Sequence, residues 1–252
     1  GLPYGQSLGN EVCTAHIKGD DMDKLKVIVI ISIIMLTGVL MPAGQAWSQP
    51  DRNKKAVVID PGHGGSDTGV KFGDKIHEKD VNLRIALALQ RELQQAGYSR
   101  IVLTRSGDRD VSLKERSQII RSSEPLLVIG LHVNAGFGNK ARGYEVYFPG
   151  FKAAKEGRND SSAIISDMTK NKHLNDSVRL AQHIQKHLGE IFPKENRGLR
   201  DAPLPLTAGV NVPAVIIEIG FLTNKENRQK LADEKGQQEI ARAIARGVKG
   251  GL

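Results

Sequence analysis

The sequence predicts an α/β fold, a mostly parallel sheet in one domain with helices on both faces. Three observations predict it. First, short continuous apolar runs rich in β-branched residues occur at 56–60 (AVVID), 126–132 (LLVIGLH) and 214–219 (AVIIEI), the pattern of strands buried on both faces. Second, stretches with apolar residues at helical spacing separate these runs. Third, strands and helices alternate along the chain, which favours parallel pairing through helical crossovers.

Taken in order, the first strand is stopped by Pro61 and Gly62. After Glu78 the residues Val81, Ile85, Leu89 and Leu93 share one face, and Gly97 closes this amphipathic helix. Residues 101–104 form a second strand. Ser112 and Glu115 make a capping box for a helix ending near Arg121. The run 126–132 is a buried strand, and 143–148 (GYEVYF) is a strand of mixed character. A helix is expected over about 177–191, carrying Leu180, Ile184, Leu188 and Ile191 on one side. After the strand 214–219, Thr223 and Glu226 are expected to form a second capping box, opening helical sequence that runs with one interruption to about Val248. Residues 152–172 are polar with little periodicity and are expected to be a surface segment.

Composition narrows the function classes. Hydrophobic residues make up 39% and glycine adds 27 of 252, an ordinary globular share that excludes a disordered chain, a collagen repeat and a polytopic membrane protein. Cys13 is the single cysteine, so neither an intrachain disulfide nor a cysteine-based zinc finger can form. Aromatics are 4%, too few for a base-stacking platform, and no nucleic-acid partner is expected. The first Met is Met22. Lys24 and Lys26 precede the apolar run 27–41, and Pro42, Gly44 and Ala46 follow it. That run is short for a spanning helix and matches a secretory signal. The expected organisation is therefore upstream sequence at 1–21, a signal peptide at 22–46 cleaved after Ala46, a linker at 47–54 and one domain at 55–252. The full chain has net charge +8 and the exported part +9, so it meets anionic polymers, of which a cell wall or membrane surface is the natural candidate.

Chemistry is expected where the strands of such a sheet end at their carboxyl edge. The first strand ends in DPGHGG, which carries His63; the third ends in His132-Val133-Asn134; the strand 214–219 carries Glu218 in otherwise apolar sequence. The loop DPGHGGSDTG could be a plain turn or a phosphate cradle, but it lacks the Lys-Ser/Thr ending of a P-loop. Glycines flank His63 and let the backbone approach a ligand or adopt φ > 0. Glu78 opens the first helix, where a carboxylate is also favoured by the helix dipole, and His77 competes with it as a third ligand. Two imidazoles and one carboxylate are a ligand type of catalytic zinc. A carboxylate such as Glu218 on a buried strand must be paired or stand close to a metal. A buried ion pair with an arginine and a general base are both open at this point.

Together these residues resemble the type-3 family of zinc-dependent N-acetylmuramoyl-L-alanine amidases, bacterial cell-wall hydrolases. The matching pieces are VVIDPGHGGSDTG (57–69), HEKDVNL (77–83), LTRSGD (103–108), SLKER (112–116), GLHVNA (130–135), GYEVYF (143–148), SVRLA (177–181) and PAVIIEIGFLTN (213–224). They stand in family order over about residues 55–250. The resemblance implies a twisted, mostly parallel six-stranded sheet, one Zn2+ held by His63, Glu78 and His132, and Glu218 as the catalytic glutamate. It settles Glu78 over His77. Arg105 and Asn134 are expected to touch substrate or support the ligands, with Asn134 read as ordering its loop. Three departures stand out: Gly130 where Ser is usual, Arg121 where Asn is usual, and Leu204-Pro205-Leu206 in place of a more aromatic strand.

The resemblance further implies hydrolysis of the amide between the lactyl group of N-acetylmuramic acid and L-alanine in peptidoglycan. A monomer in the periplasm or outside the cell is expected. Division-associated members carry a long insertion whose helix blocks the zinc until an activator protein displaces it. The short stretch between Phe148 and Ser177 makes a full blocking helix unexpected here, and leaves an activator as an open partner. A zinc peptidase cutting within the stem peptide is the alternative enzyme, and a wall-binding protein without activity is the alternative from another class.

Overall fold

The computed structural model describes residues 54–150, 161–207 and 210–251. The upstream sequence, the signal peptide and nearly all of the linker lie outside the described residues.

The six strands of the main sheet are β1 (Ala56–Pro61), β4 (Ile101–Leu103), β5 (Pro125–Asn134), β6 (Tyr144–Pro149), β7 (Asn196–Ala202) and β8 (Ala214–Phe221), in the order β4-β1-β5-β8-β6-β7. β4, β1, β5 and β8 run parallel; β6 is antiparallel to β8, and β7 is parallel to β6. A separate two-stranded ribbon joins β2 (Lys71–Phe72) to β3 (Ile76–His77). The helices are α1 (Glu78–Gln95), α2 (Leu113–Ser122), α3 (Ser161–Ile191), α4 (Lys225–Ala232) and α5 (Glu234–Gly251).

Alternation along the strands divides the core. Val57, Ile59, Ile129, Leu131, Val215 and Ile217 face α1, α3 and α5, whose Ile85, Leu89, Leu180, Ile184, Ile240 and Ile244 are buried against them. Ala56, Val58, Val128 and Ala214 face the other way, towards Ile120 of α2 and Leu204 and Leu206. Cover on this second face thins out towards β6, where Ile216 and Tyr147 are only half-buried. His132 and Glu218 lie at the carboxyl edge of that thinly covered face.

The structure amends the expected elements. β7 (NRGLRDA) has no apolar alternation because it is the edge strand, exposed along most of its length. α3 begins at Ser161 rather than near Ser177, so part of the polar stretch 152–172, expected to be a surface segment, is helix. Residues 163–168 belong to this helix. The second capping box is displaced by one residue: Asn224, not Thr223, caps α4, its side chain accepting from the backbone N–H groups of Glu226 and Asn227. The Thr223 hydroxyl instead accepts from Gly136 N. Ser112 caps α2 as expected, accepting from Glu115 N. Among the described residues no helix is long and apolar enough to cross a membrane.

Candidate active site

The end of β1 is fixed by two buried arginines. Arg116 of α2 donates to Asp60 Oδ1 at 2.7 Å, to Pro61 O at 2.8 Å and to His63 O at 2.5 Å. Asp60 also accepts from the Thr104 hydroxyl. Arg105, just beyond β4, donates to the carbonyls of Pro61, Gly62 and Lys79 at 2.8 to 3.0 Å. At 1% exposure Arg105 braces the loop and is out of a substrate's reach.

This bracing holds His63 itself in the left-handed region at φ 63°. Strain of this kind persists only where surrounding contacts over-determine it. The ring is oriented by Asp67, whose Oδ2 lies 2.8 Å from Nδ1, so that Nε2 points at Glu78 Oε1, 3.1 Å away. A carboxylate on the far ring nitrogen is the usual partner of a ligating histidine. Gly62 allows His132 to close on the loop, since a Cβ there would lie 2.2 Å from His132 Cε1. Gly69, at φ 61°, leaves equivalent room beside Glu78 and His63.

Glu78 is the first residue of α1 and 3% exposed. Its Oε2 accepts from Val70 N at 2.9 Å and its Oε1 from Val133 N at 3.0 Å, while His132 Nδ1 lies 3.1 Å from Oε1. Burial alone would raise its pKa, but the bonds from His132, His63 and the two backbone N–H groups prevail and hold the carboxyl well below its ordinary range. The hydrogen bond to Glu78 in turn lifts His63 to about 9, against the opposing effect of burial. The site therefore draws positive charge to the point where the three side chains meet.

That point fits a metal ion. One donor atom each from His63, Glu78 and His132 lies within 4.8 Å of the others, and the two imidazole centroids are 5.1 Å apart with rings nearly perpendicular. Two imidazoles and one carboxylate leave a position open on zinc. His77 stays outside the group, its Nδ1 3.5 Å from Asp80.

Glu218 of β8 stands directly opposite His132 of β5 on one side and Glu145 of β6 on the other. It is half-buried, and its Oε2 has no hydrogen-bond partner among the described residues. Burial pushes its carboxyl up to about 7, with the neighbouring Glu78 and Glu145 charges raising it and the histidines lowering it. An arginine partner, the structural alternative, is absent among the described contacts. Asn134 orders its own loop: Oδ1 accepts from Ala135 N, and its carbonyl from Leu222 N.

Sequence reasoning missed Asn82 and underrated Arg116. Asn82 is fully buried one turn after Glu78 and donates to Gly62 O at 3.3 Å and Glu78 Oε1 at 3.4 Å. The available signal was polarity on the apolar face of α1, at i+4 from Glu78.

The family model for N-acetylmuramoyl-L-alanine amidases matches residues 57–250. The chain belongs to this amidase family. Among its relatives, the amidase is 32% identical over 209 residues to the uncharacterized protein YqiI of Bacillus subtilis, covering 83% of this chain and 89% of the relative. It is 30% identical to the N-acetylmuramoyl-L-alanine amidase AmiA of Escherichia coli, covering 77% and 75%. Among solved structures, the CwlD amidase of Clostridioides difficile in complex with the GerS lipoprotein superposes with a TM-score of 0.65 at 30% identity, covering 79% of this chain and 98% of that one. The amidase AmiC2 of Nostoc punctiforme gives a TM-score of 0.63 at 29% identity, covering 78% and 96%.

Proposed function

We propose that this amidase hydrolyses the amide between N-acetylmuramic acid and L-alanine in peptidoglycan, with His63, Glu78 and His132 holding one zinc ion and Glu218 handling the proton. The reading rests on one observation above all: three good zinc donors converge beside a carboxylate whose buried Oε2 has no partner among the described residues. When bound, zinc polarises the scissile carbonyl and lowers the pKa of water towards about 7. Glu218 accepts the proton of the attacking water at its free oxygen and then delivers it to the departing alanine nitrogen, acting as base and acid in turn. Its raised pKa, about 7, suits both directions of transfer. Asp67 keeps the His63 ring turned inward. Arg105 and Arg116 hold the loop that presents His63, and Asn134 fixes the ends of β5 and β8.

The products are a glycan left intact and a free stem peptide beginning with L-alanine. The same reading has the chain exported after cleavage of residues 22–46, acting as a monomer at the cell wall, with an activator protein as a further partner. Mass spectrometry of digested sacculi tests it. Zinc-loaded protein should release peptides with an N-terminal L-alanine, and Glu218→Gln should lower the rate at least about 100-fold while keeping about one zinc per chain. Fragments cut within the stem peptide would overturn the assignment in favour of a peptidase.

A further inference from the structure

Beside Glu218, β6 and β7 build a second polar group that the mechanism does not use. Between the pairs Tyr144–Asn196 and Val146–Leu199, β7 carries one residue more than β6, so Arg197 and Gly198 together face Glu145. Gly198 takes φ 103°, a conformation that favours glycine, and a bulge of this kind re-aims a side chain. Arg197 Nε donates to Glu145 Oε1 at 2.5 Å, and its guanidinium lies over the Phe221 ring, 5.0 Å from the centroid. Arg200 Nε lies 3.2 Å from Glu145 Oε2, which also accepts from the Tyr147 hydroxyl at 2.7 Å.

Both arginines engage Glu145 through Nε. Among the described residues, the forked Nη ends of both have no acceptor, and the side chains are 39% and 49% exposed against 6% for Glu145. Two guanidiniums on one buried carboxylate leave one positive charge over. A guanidinium anchored at Nε and open at its fork is a bidentate receptor for a carboxylate.

The position matches a particular carboxylate. Glu145 is directly opposite Glu218, and β7 lies one strand beyond, so the arginines stand about 10 Å from the Glu218 strand. In a peptidoglycan stem the residue after L-alanine is D-glutamate joined through its side chain, which leaves its α-carboxylate free unless it is amidated. That group lies two residues from the scissile amide, about 7 Å along an extended chain, and the long arginine side chains span the difference.

We propose that Arg197 and Arg200, braced by Glu145, bind the free α-carboxylate of the second stem residue, so that the amidase selects acidic over amidated stems. This rests on the amidase reading above. The test uses the zinc-loaded full chain and two muramyl tripeptides that differ only in whether that α-carboxyl is the acid or the amide. The acid should be cleaved with a kcat/KM at least about ten-fold higher, the size of one charge-assisted hydrogen bond. Arg197→Ala and Arg200→Ala should each lower the acid-to-amide ratio, the double variant should bring it near one, and Arg197→Lys should restore part of it. Equal cleavage of the two substrates by the unmutated protein overturns the proposal without any variant. So does a proportional loss on both substrates that leaves the ratio intact. Cleavage of neither substrate refutes the amidase reading itself, and the proposal with it.

Discussion

His132 and Glu218 face each other directly across the parallel pairing of β5 and β8. The pairing puts a ligand candidate and the proposed proton-handling acid on one face of the sheet, with no hydrogen bond to the buried Oε2 of Glu218 among the described residues. Register therefore does the positioning, and a slip of one residue would send Glu218 to the face covered by α3 and α5.

Stripped of metal, the protein should lose stability as pH rises from about 5 to about 9. Burial raises Glu218 from 4.5 to about 7, so between those values the folded state holds a proton that the unfolded chain has lost, and stability falls with pH. The bond to Glu78 raises His63 from 6.5 to about 9. Its contribution is full below 6.5 and is lost as pH climbs through about 9. Glu78, lowered, adds no slope in this window. Zinc competes with protons for the imidazoles, so the Tm gain on adding zinc should grow over the same range. Scanning calorimetry with and without a chelator checks both trends, and a chelated Tm that rises with pH would contradict them. Glu218→Gln should flatten the lower half of the slope.

Gly62→Ala should detach His132 from the group. The new methyl would sit 2.2 Å from His132 Cε1 and 2.5 Å from Nε2. Zinc affinity, measured by competition with a chelating dye, is expected to fall by about 10- to 100-fold. Gly73→Ala is the control, because nothing lies within 4 Å of a Cβ there, although unlike Gly62 it has a positive φ of 60°. That change should cost about 1 kcal/mol of stability and leave zinc affinity unchanged.

Arg116→Met should destabilise the fold by about 3–5 kcal/mol in urea, because it strands the buried Asp60 carboxylate. The carbonyls of Pro61 and His63 lose a donor as well. Adding Asp60→Asn should recover part of the loss, the mark of a pair that acts together.

Much of this molecule is legible in one dimension. The buried strands β1, β5 and β8 appear as β-branched runs and α1 as a four-residue spacing, because local periodicity and burial are the same property seen twice. His132 and Glu218 are conspicuous because polar groups in or at the end of apolar runs are costly there without a task, whereas His63 stands out by its flanking glycines and Glu78 only through the family resemblance. What fails locally is what lacks a local signal. β7 is an exposed edge with no alternation, and α3 starts sixteen residues before its apolar stripe becomes regular. Asn224 takes the cap expected of Thr223, a choice between neighbours that differ little in capping strength.

By itself, then, the sequence determined the fold class, the family and the four residues worth testing. Only the tertiary structure decided how His63, Glu78 and His132 meet, and that Glu145 and its two arginines stand beside Glu218. Those relations are set by strand order and register, which join positions far apart in the chain. No short window of sequence carries that information, because crossovers and pairing are collective choices of the whole sheet.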